Sequence, residues 1–248
     1  MTTSATIWHA PNNNLRLVEH QAHVWCADLD LSTARVEQLH QLLSPDESER
    51  ACRFHFERHR RRYIVGRGLL RCILSKYLDT DPRSIEFEYA PRGKPSLKHQ
   101  PSHGKLFFNL SHSHELVLYA IAPRPLIGVD LEYIRSMSRI DDMARRYFFP
   151  SEYAKIKAMK ANEKSRTFFN YWTCKEAYLK STGAGLAGLE KIEVLMETPN
   201  NVSLKITNER GQVREDWFVR QIHPKNGYSG ALVLSGKHWQ LKYYSYMW

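Results

Sequence analysis

The chain has 248 residues, 42% of them hydrophobic and 12% aromatic against 25% charged, which is enough apolar surface for a packed core and excludes disorder as the main state. That length suits one large domain or two small ones and excludes a disulfide-stapled miniprotein. A formal net charge of +10 directs attention to an acidic partner, a phosphorylated ligand or nucleic acid.

The first residues lack a basic stretch followed by an apolar one, and no apolar run reaches the ~18 residues of a membrane span, so a cytoplasmic chain without a membrane partner is expected. The Asn-x-Ser sequences at Asn109 and Asn201 then carry no glycan. A first strand is predicted near His23–Ala27 and a helix from about Ser32 to Leu43. Ser44-Pro45-Asp46-Glu47 supplies a serine cap, proline at the first helical position and acids in the first turn of a second helix. A long helix follows from about Arg58 to Tyr77, with Tyr63, Leu70, Leu74 and Tyr77 on one stripe. Between Arg50 and Arg71 eight arginines face the single acid Glu57, and their planar forks suit phosphate oxygens. Strands are predicted at Ile85–Tyr89, Lys105–Leu110, Leu116–Ala122 and Ile127–Glu132.

The second half repeats this order. Phe149-Pro150-Ser151-Glu152 echoes Ser44-Pro45-Asp46-Glu47, an aromatic-rich helix at Tyr171–Tyr178 echoes Tyr63–Leu70, and strand text at Ile192–Leu195 echoes Ile85–Glu88. The expected architecture is therefore α+β and pseudo-dimeric: two similar α/β subdomains, residues 1–124 and 125–248, joined near Pro123-Arg124-Pro125, with the active site in the cleft between them. Cys26, Cys52, Cys72 and Cys174 have neither disulfide-framework nor zinc spacing.

Three segments could carry chemistry. In Ile127-Gly128-Val129-Asp130-Leu131-Glu132 the two carboxylates alternate on one strand face, where they repel unless a cation sits between them. Oxygen ligands of this kind suit Mg²⁺, with Mn²⁺ as the alternative. In Trp172-Thr173-Cys174-Lys175-Glu176-Ala177-Tyr178-Leu179-Lys180, Glu176 and Lys180 are four apart on one helix side, so Glu176 could complete the magnesium site and a lysine could neutralise phosphate charge. In Phe108-Asn109-Leu110-Ser111-His112-Ser113-His114 a strand breaks into hydroxyls and imidazoles that can bind phosphate, and Arg92-Gly93-Lys94-Pro95 offers a lysine in a stiffened loop. A Ser-His hydrolase is the rival reading of the former, but no G-x-S-x-G elbow is present. Gly183–Gly188 spells G-x-G-x-x-G, yet it follows a helix, so it reads as a helix end and turn rather than a dinucleotide loop.

The order F-N-L-S-H-S, I-G-V-D-L-E, W-T-C-K-E-A-Y-L-K, together with G-R-G-L-L-R at Gly66–Arg71 and R-G-K-P at Arg92–Pro95, resembles the surfactin-type (Sfp-type) 4′-phosphopantetheinyl transferases over about Ser44–Val194. The resemblance implies a monomeric enzyme that moves the phosphopantetheine arm of coenzyme A to a serine of an acyl or peptidyl carrier protein and releases adenosine 3′,5′-bisphosphate. It implies that Asp130, Glu132 and Glu176 hold Mg²⁺, that Glu176 or a metal-bound water takes the serine proton, and that Lys180 and Lys175 stabilise the transferring phosphate. It also assigns Arg50, Arg62, Lys94, Ser111 and His112 to coenzyme A, with Pro95 shaping the Lys94 loop and Arg53 assisting Arg50. Glu47 stands where the family often has lysine, and Tyr63 where a smaller polar residue can occur. A metal-dependent phosphoesterase uses the same carboxylates, whereas a nucleic-acid-binding module leaves them unexplained, because carboxylates repel a phosphate backbone.

Overall fold

The structure, a computed structural model, describes residues 6–12, 15–102, 104–198, 201–207, 212–214 and 216–247. In chain order its elements are Gln21–Asp28 (β1), Thr33–His40 (α1), Pro45–Cys52 (α2), Glu57–Leu78 (α3), Phe87–Tyr89 (β2), Pro95–Leu97 (β3), Phe107–Ser113 (β4), Leu116–Ala122 (β5), Ile127–Tyr133 (β6), Ile140–Tyr147 (α4), Pro150–Ala158 (α5), Ala161–Thr182 (α6), Ile192–Thr198 (β7), Asn201–Thr207 (β8), Val213–Arg214 (β9), Trp217–Ile222 (β10), Tyr228–Ser235 (β11) and Gln240–Ser245 (β12). The mixture of helices and largely antiparallel sheets is the expected α+β class.

The sequence echo between halves has a physical counterpart. Glu47 accepts the Ser44 N–H at 3.2 Å at the start of α2, and Glu152 accepts the Phe149 N–H at 2.7 Å at the start of α5. Both carboxylates are buried, and each pairs with a cation on the following long helix: Glu47 with Arg71 at 2.7 Å, Glu152 with Lys175 at 2.8 Å. Helices α3 and α6 each have 22 residues, and Arg71 and Lys175 occupy the same position along them.

One sheet has the order β12-β1-β5-β4 and another β10-β11-β6. Alternation along β5 sends Val117, Tyr119 and Ile121 to the cluster shared with α3, and Leu116, Leu118 and Ala120 to a middle cluster shared with Val129 and Leu131 of β6. Ala231 and Val233 of β11 pack with α6 in the third cluster. Between the two sheets the chain turns through residues 123–126, where Leu126 takes φ +58°.

Several boundaries differ from expectation. β4 does not end at Leu110 but continues through Ser111-His112-Ser113, because its ladder with β5 runs on to the Ser113–Leu116 pair before His114 turns at φ +51°. The first helix ends at His40 and β2 starts only at Phe87. β12, from the end of the chain, pairs in parallel with β1, so the first sheet is completed by a strand from beyond residue 125. No helix among the described residues is long and apolar enough to cross a membrane.

Candidate active site

β4 and β6 are edge strands of different sheets, and side chains on alternate positions of β4 join them. Asn109 Oδ1 accepts the Val129 N–H at 2.9 Å, Ser111 Oγ donates to Asp130 at 2.9 Å, and Ser113 Oγ donates to Glu132 at 3.2 Å while accepting the Tyr133 N–H at 3.0 Å. Thus the spacing i, i+2, i+4 in F-N-L-S-H-S matches the strand period and fixes both carboxylates of D-L-E. The hydroxyls expected to meet phosphate are engaged with the acidic pair.

Helix α6 lies directly on β6. Gly128 permits this contact, since a Cβ there would strike the Ala177 carbonyl oxygen and the Ser181 nitrogen. With the backbones so close, Glu176 and Lys180 project on one helix face toward the cleft. Lys180 Nζ lies 2.6 Å from Asp130 Oδ1 and 2.7 Å from Ser111 Oγ. Asp130 Oδ2 and Glu176 Oε1 are buried without a hydrogen-bond partner. Burial, reinforced by the charge of Asp130, raises the Glu176 pKa to about 7; the same two causes raise that of Glu132.

Among the described residues no three His, Cys, Asp or Glu side chains form a metal-holding group, although the charges of Asp130 and Glu132 both act on Glu176. The ammonium of Lys180 occupies one Asp130 oxygen. The donor set nonetheless suits a hard cation: all oxygen, with two buried oxygens lacking a partner.

A cleft of about 510 Å³ lies beside this acidic pair, and its lining includes Arg50, Arg62, Lys94, Pro95, Ser111, His112, Glu176 and Lys180. Arg62 forms a two-pronged pair with Asp30 at 2.7 and 2.6 Å, and Arg50 stacks over the Tyr63 ring at 5.6 Å. Partial desolvation, with Lys180 and Arg62 nearby, lowers the pKa of His112. Lys94 Nζ donates to the carbonyls of Lys180 at 2.7 Å and Ser181 at 2.9 Å, and burial lowers its pKa to about 8. Arg92 Nη1 donates to the Gly183 carbonyl at 2.8 Å. The R-G-K-P loop therefore fastens the first half to the last turn of α6, where Gly183 takes the left-handed conformation that ends the helix.

Two expected site residues lie elsewhere. Lys175 is fully buried against Glu152, donates to the Ile192 carbonyl at 2.5 Å and faces the rings of Phe148 and Phe149, so it does not stabilise a phosphate in the cleft. The reason is rotation: adjacent helical residues diverge by about 100°, so Glu176 and Lys175 cannot share a face. Arg53 is exposed beyond the end of α2 and pairs with Glu49 at 2.6 Å. Replacing Lys175 with methionine strands the buried Glu152 carboxylate and is expected to cost about 3 kcal/mol, with only partial recovery when Glu152→Gln is added, because both Glu152 oxygens accept backbone N–H bonds, from Phe149 and Val194; thermal unfolding of both variants checks this.

Arg92, Arg67 and Asn109 line the cleft but were not assigned to the site from the sequence. Arg67 is buried, donating to the Tyr89 hydroxyl at 2.5 Å and pairing with Glu47 at 3.3 Å. Its seat four residues before Arg71 on the same helix was a signal that could have found it. Glu47 thus serves an internal network with Arg67 and Arg71.

Comparison with known proteins places both halves. Residues 30–124 match the family model of the 4′-phosphopantetheinyl transferase N-terminal domain, and residues 126–233 match that of the 4′-phosphopantetheinyl transferase superfamily. The chain is 39% identical over 239 residues to 4′-phosphopantetheinyl transferase HetI of Nostoc sp. (strain PCC 7120), covering 96% of this chain and 98% of that one. It is 29% identical to 4′-phosphopantetheinyl transferase Sfp of Bacillus subtilis (strain 168), covering 83% and 88% respectively. Matched across both halves and along nearly its whole length, the chain belongs to the Sfp-type 4′-phosphopantetheinyl transferases.

Proposed function

We propose that this enzyme transfers the 4′-phosphopantetheine arm of coenzyme A to a serine hydroxyl of an apo acyl or peptidyl carrier protein and releases adenosine 3′,5′-bisphosphate. The observation that carries this reading is a cleft with a basic wall, including Arg50, Arg62 and His112, beside the Asp130–Lys180–Glu176 group. A pyrophosphate ester needs cations along its length and a proton acceptor near the attacked phosphorus.

In this reading Arg50, Arg62, Lys94 and His112 bind the phosphates of coenzyme A, and Ser111 keeps Asp130 oriented. Asp130, Glu132 and Glu176 would hold Mg²⁺, which when bound neutralises charge on the pyrophosphate. The carrier serine oxygen bonds to the phosphorus bearing the pantetheine arm, and the bond to the departing adenosine bisphosphate breaks. Glu176 accepts the serine proton, and Lys180 offsets charge on the transferring phosphate. The net positive charge of the chain attracts the acidic surface of a carrier protein.

Intact mass spectrometry of an apo carrier incubated with the enzyme, coenzyme A and Mg²⁺ tests the proposal. A gain of one phosphopantetheine that disappears with EDTA supports it; release of phosphate without carrier modification indicates a phosphoesterase and overturns it. Lys94→Ala removes a cation and the strap onto α6, and is expected to raise the KM for coenzyme A about ten-fold with a smaller change in kcat. Steady-state kinetics check this, and an unchanged KM with a lowered kcat would contradict a role in substrate binding.

A further inference from the structure

The acidic pair of the cleft already holds one positive charge, supplied by the chain itself. Lys180 reaches from α6, one turn beyond Glu176, to 2.6 Å from Asp130 Oδ1 and 2.7 Å from Ser111 Oγ. Asp130 is buried and Lys180 only partly so, its side chain being 32% exposed. The ammonium end therefore borders the cleft while the carboxylate sits behind it. Asp130 Oδ2 and Glu176 Oε1 stay without partners, so Lys180 satisfies the acidic group only in part.

We infer that Lys180 is a resident counter-ion of Asp130 that a divalent cation must displace, so that metal entry and release of Lys180 toward the substrate pyrophosphate are linked. This inference rests on the metal-dependent transfer proposed above. Two cations on one carboxylate repel each other, most strongly where burial limits screening by water. Lys180 can move without disturbing its helix, because Lys94 holds the backbone carbonyls of Lys180 and Ser181 and leaves the four-carbon stem free to swing. A phosphate in the cleft draws the ammonium away from Asp130 and so strengthens metal binding, and by reciprocity the metal strengthens phosphate binding. The same side chain thus keeps the apo acidic group compensated and delivers a positive charge to the substrate once the metal has replaced it.

The test is Mn²⁺ titration of the full chain, read by electron paramagnetic resonance in the absence of coenzyme A. Lys180→Met, which keeps the stem and removes the charge, is expected to bind Mn²⁺ about ten-fold more tightly than the wild type, although it loses transfer. Lys180→Gln retains a hydrogen-bond donor to Asp130, supplies a second folded variant, and should show the same gain. Lys180→Arg keeps the competing charge and should bind no more tightly than the wild type. Neutral variants that bind Mn²⁺ equally or more weakly than the wild type would overturn the displacement, leaving metal dependence intact. Absence of Mn²⁺ binding in every variant, with and without coenzyme A, would overturn the metal-dependent reading itself.

Discussion

Asp130→Ala is expected to lower kcat/KM for carrier modification by about 10³-fold or more while leaving the fold in place. Asp130 joins three segments: it accepts the Ser111 hydroxyl from β4, pairs with Lys180 from α6, and leaves Oδ2 free of any hydrogen bond. Removing it leaves Lys180 with Ser111 alone and deletes one of the two buried, unpartnered oxygens suited to a hard cation. The fold should tolerate this, since Val129 and Leu131 keep β6 packed and Lys180 can turn toward solvent. The measurement pairs single-turnover mass spectrometry with circular dichroism. Lost transfer in a folded variant is the expected outcome, and near-normal turnover would remove Asp130 from the chemistry.

Much of this arrangement was legible in the sequence because local physics determines it. The helix starts at Pro45 and Pro150 follow from proline at the first position and glutamate two residues later, and the observed α2 and α5 begin there. The i, i+2 carboxylates of β6 and the i, i+4 pair Glu176–Lys180 are consequences of backbone period, and both sets reach the same region. Lys175 was misassigned although the helical period was sufficient to separate it from Glu176; resemblance supplied its role and geometry removes it. Features that depend on distant segments left no local mark. Nothing near Gln240 announces a parallel partner at Gln21, and nothing near Ser111 announces that its hydroxyl will meet Asp130 before it meets a ligand.

The two long helices show how one framework carries different duties. Arg71 on α3 and Lys175 on α6 each bind the buried glutamate that opens the preceding short helix, which fixes the rotation of both long helices. The next position is then free to differ: Cys72 on α3 packs at the edge of the first core, whereas Glu176 on α6 faces the cleft. The buried pair acts on Glu176 by orienting its helix, without touching the cleft.

That helix also has to lie close enough to β6, and the closeness depends on one residue. Gly128→Ala is expected to destabilise the protein by about 5 kcal/mol or more, beyond the usual cost of overpacking. An ordinary overpacked methyl meets side chains that can rotate aside; here it would meet the Ala177 carbonyl and the Ser181 amide, which are helix backbone. Relief requires α6 to lift from β6, opening the packing of Ala177 and Leu179 with Ala231 and Val233 of β11 and separating Glu176 from Asp130. At Gly66, by contrast, an added Cβ meets only Leu29 Cδ2 at 3.6 Å, so Gly66→Ala should change stability by no more than about 1 kcal/mol. Chemical denaturation of the two variants side by side tests the argument, because glycine's helix and strand propensities alone favour alanine at both positions. Equal stability of the two would mean that α6 can shift on β6 at little cost, and that the position of Glu176 is not set by this contact.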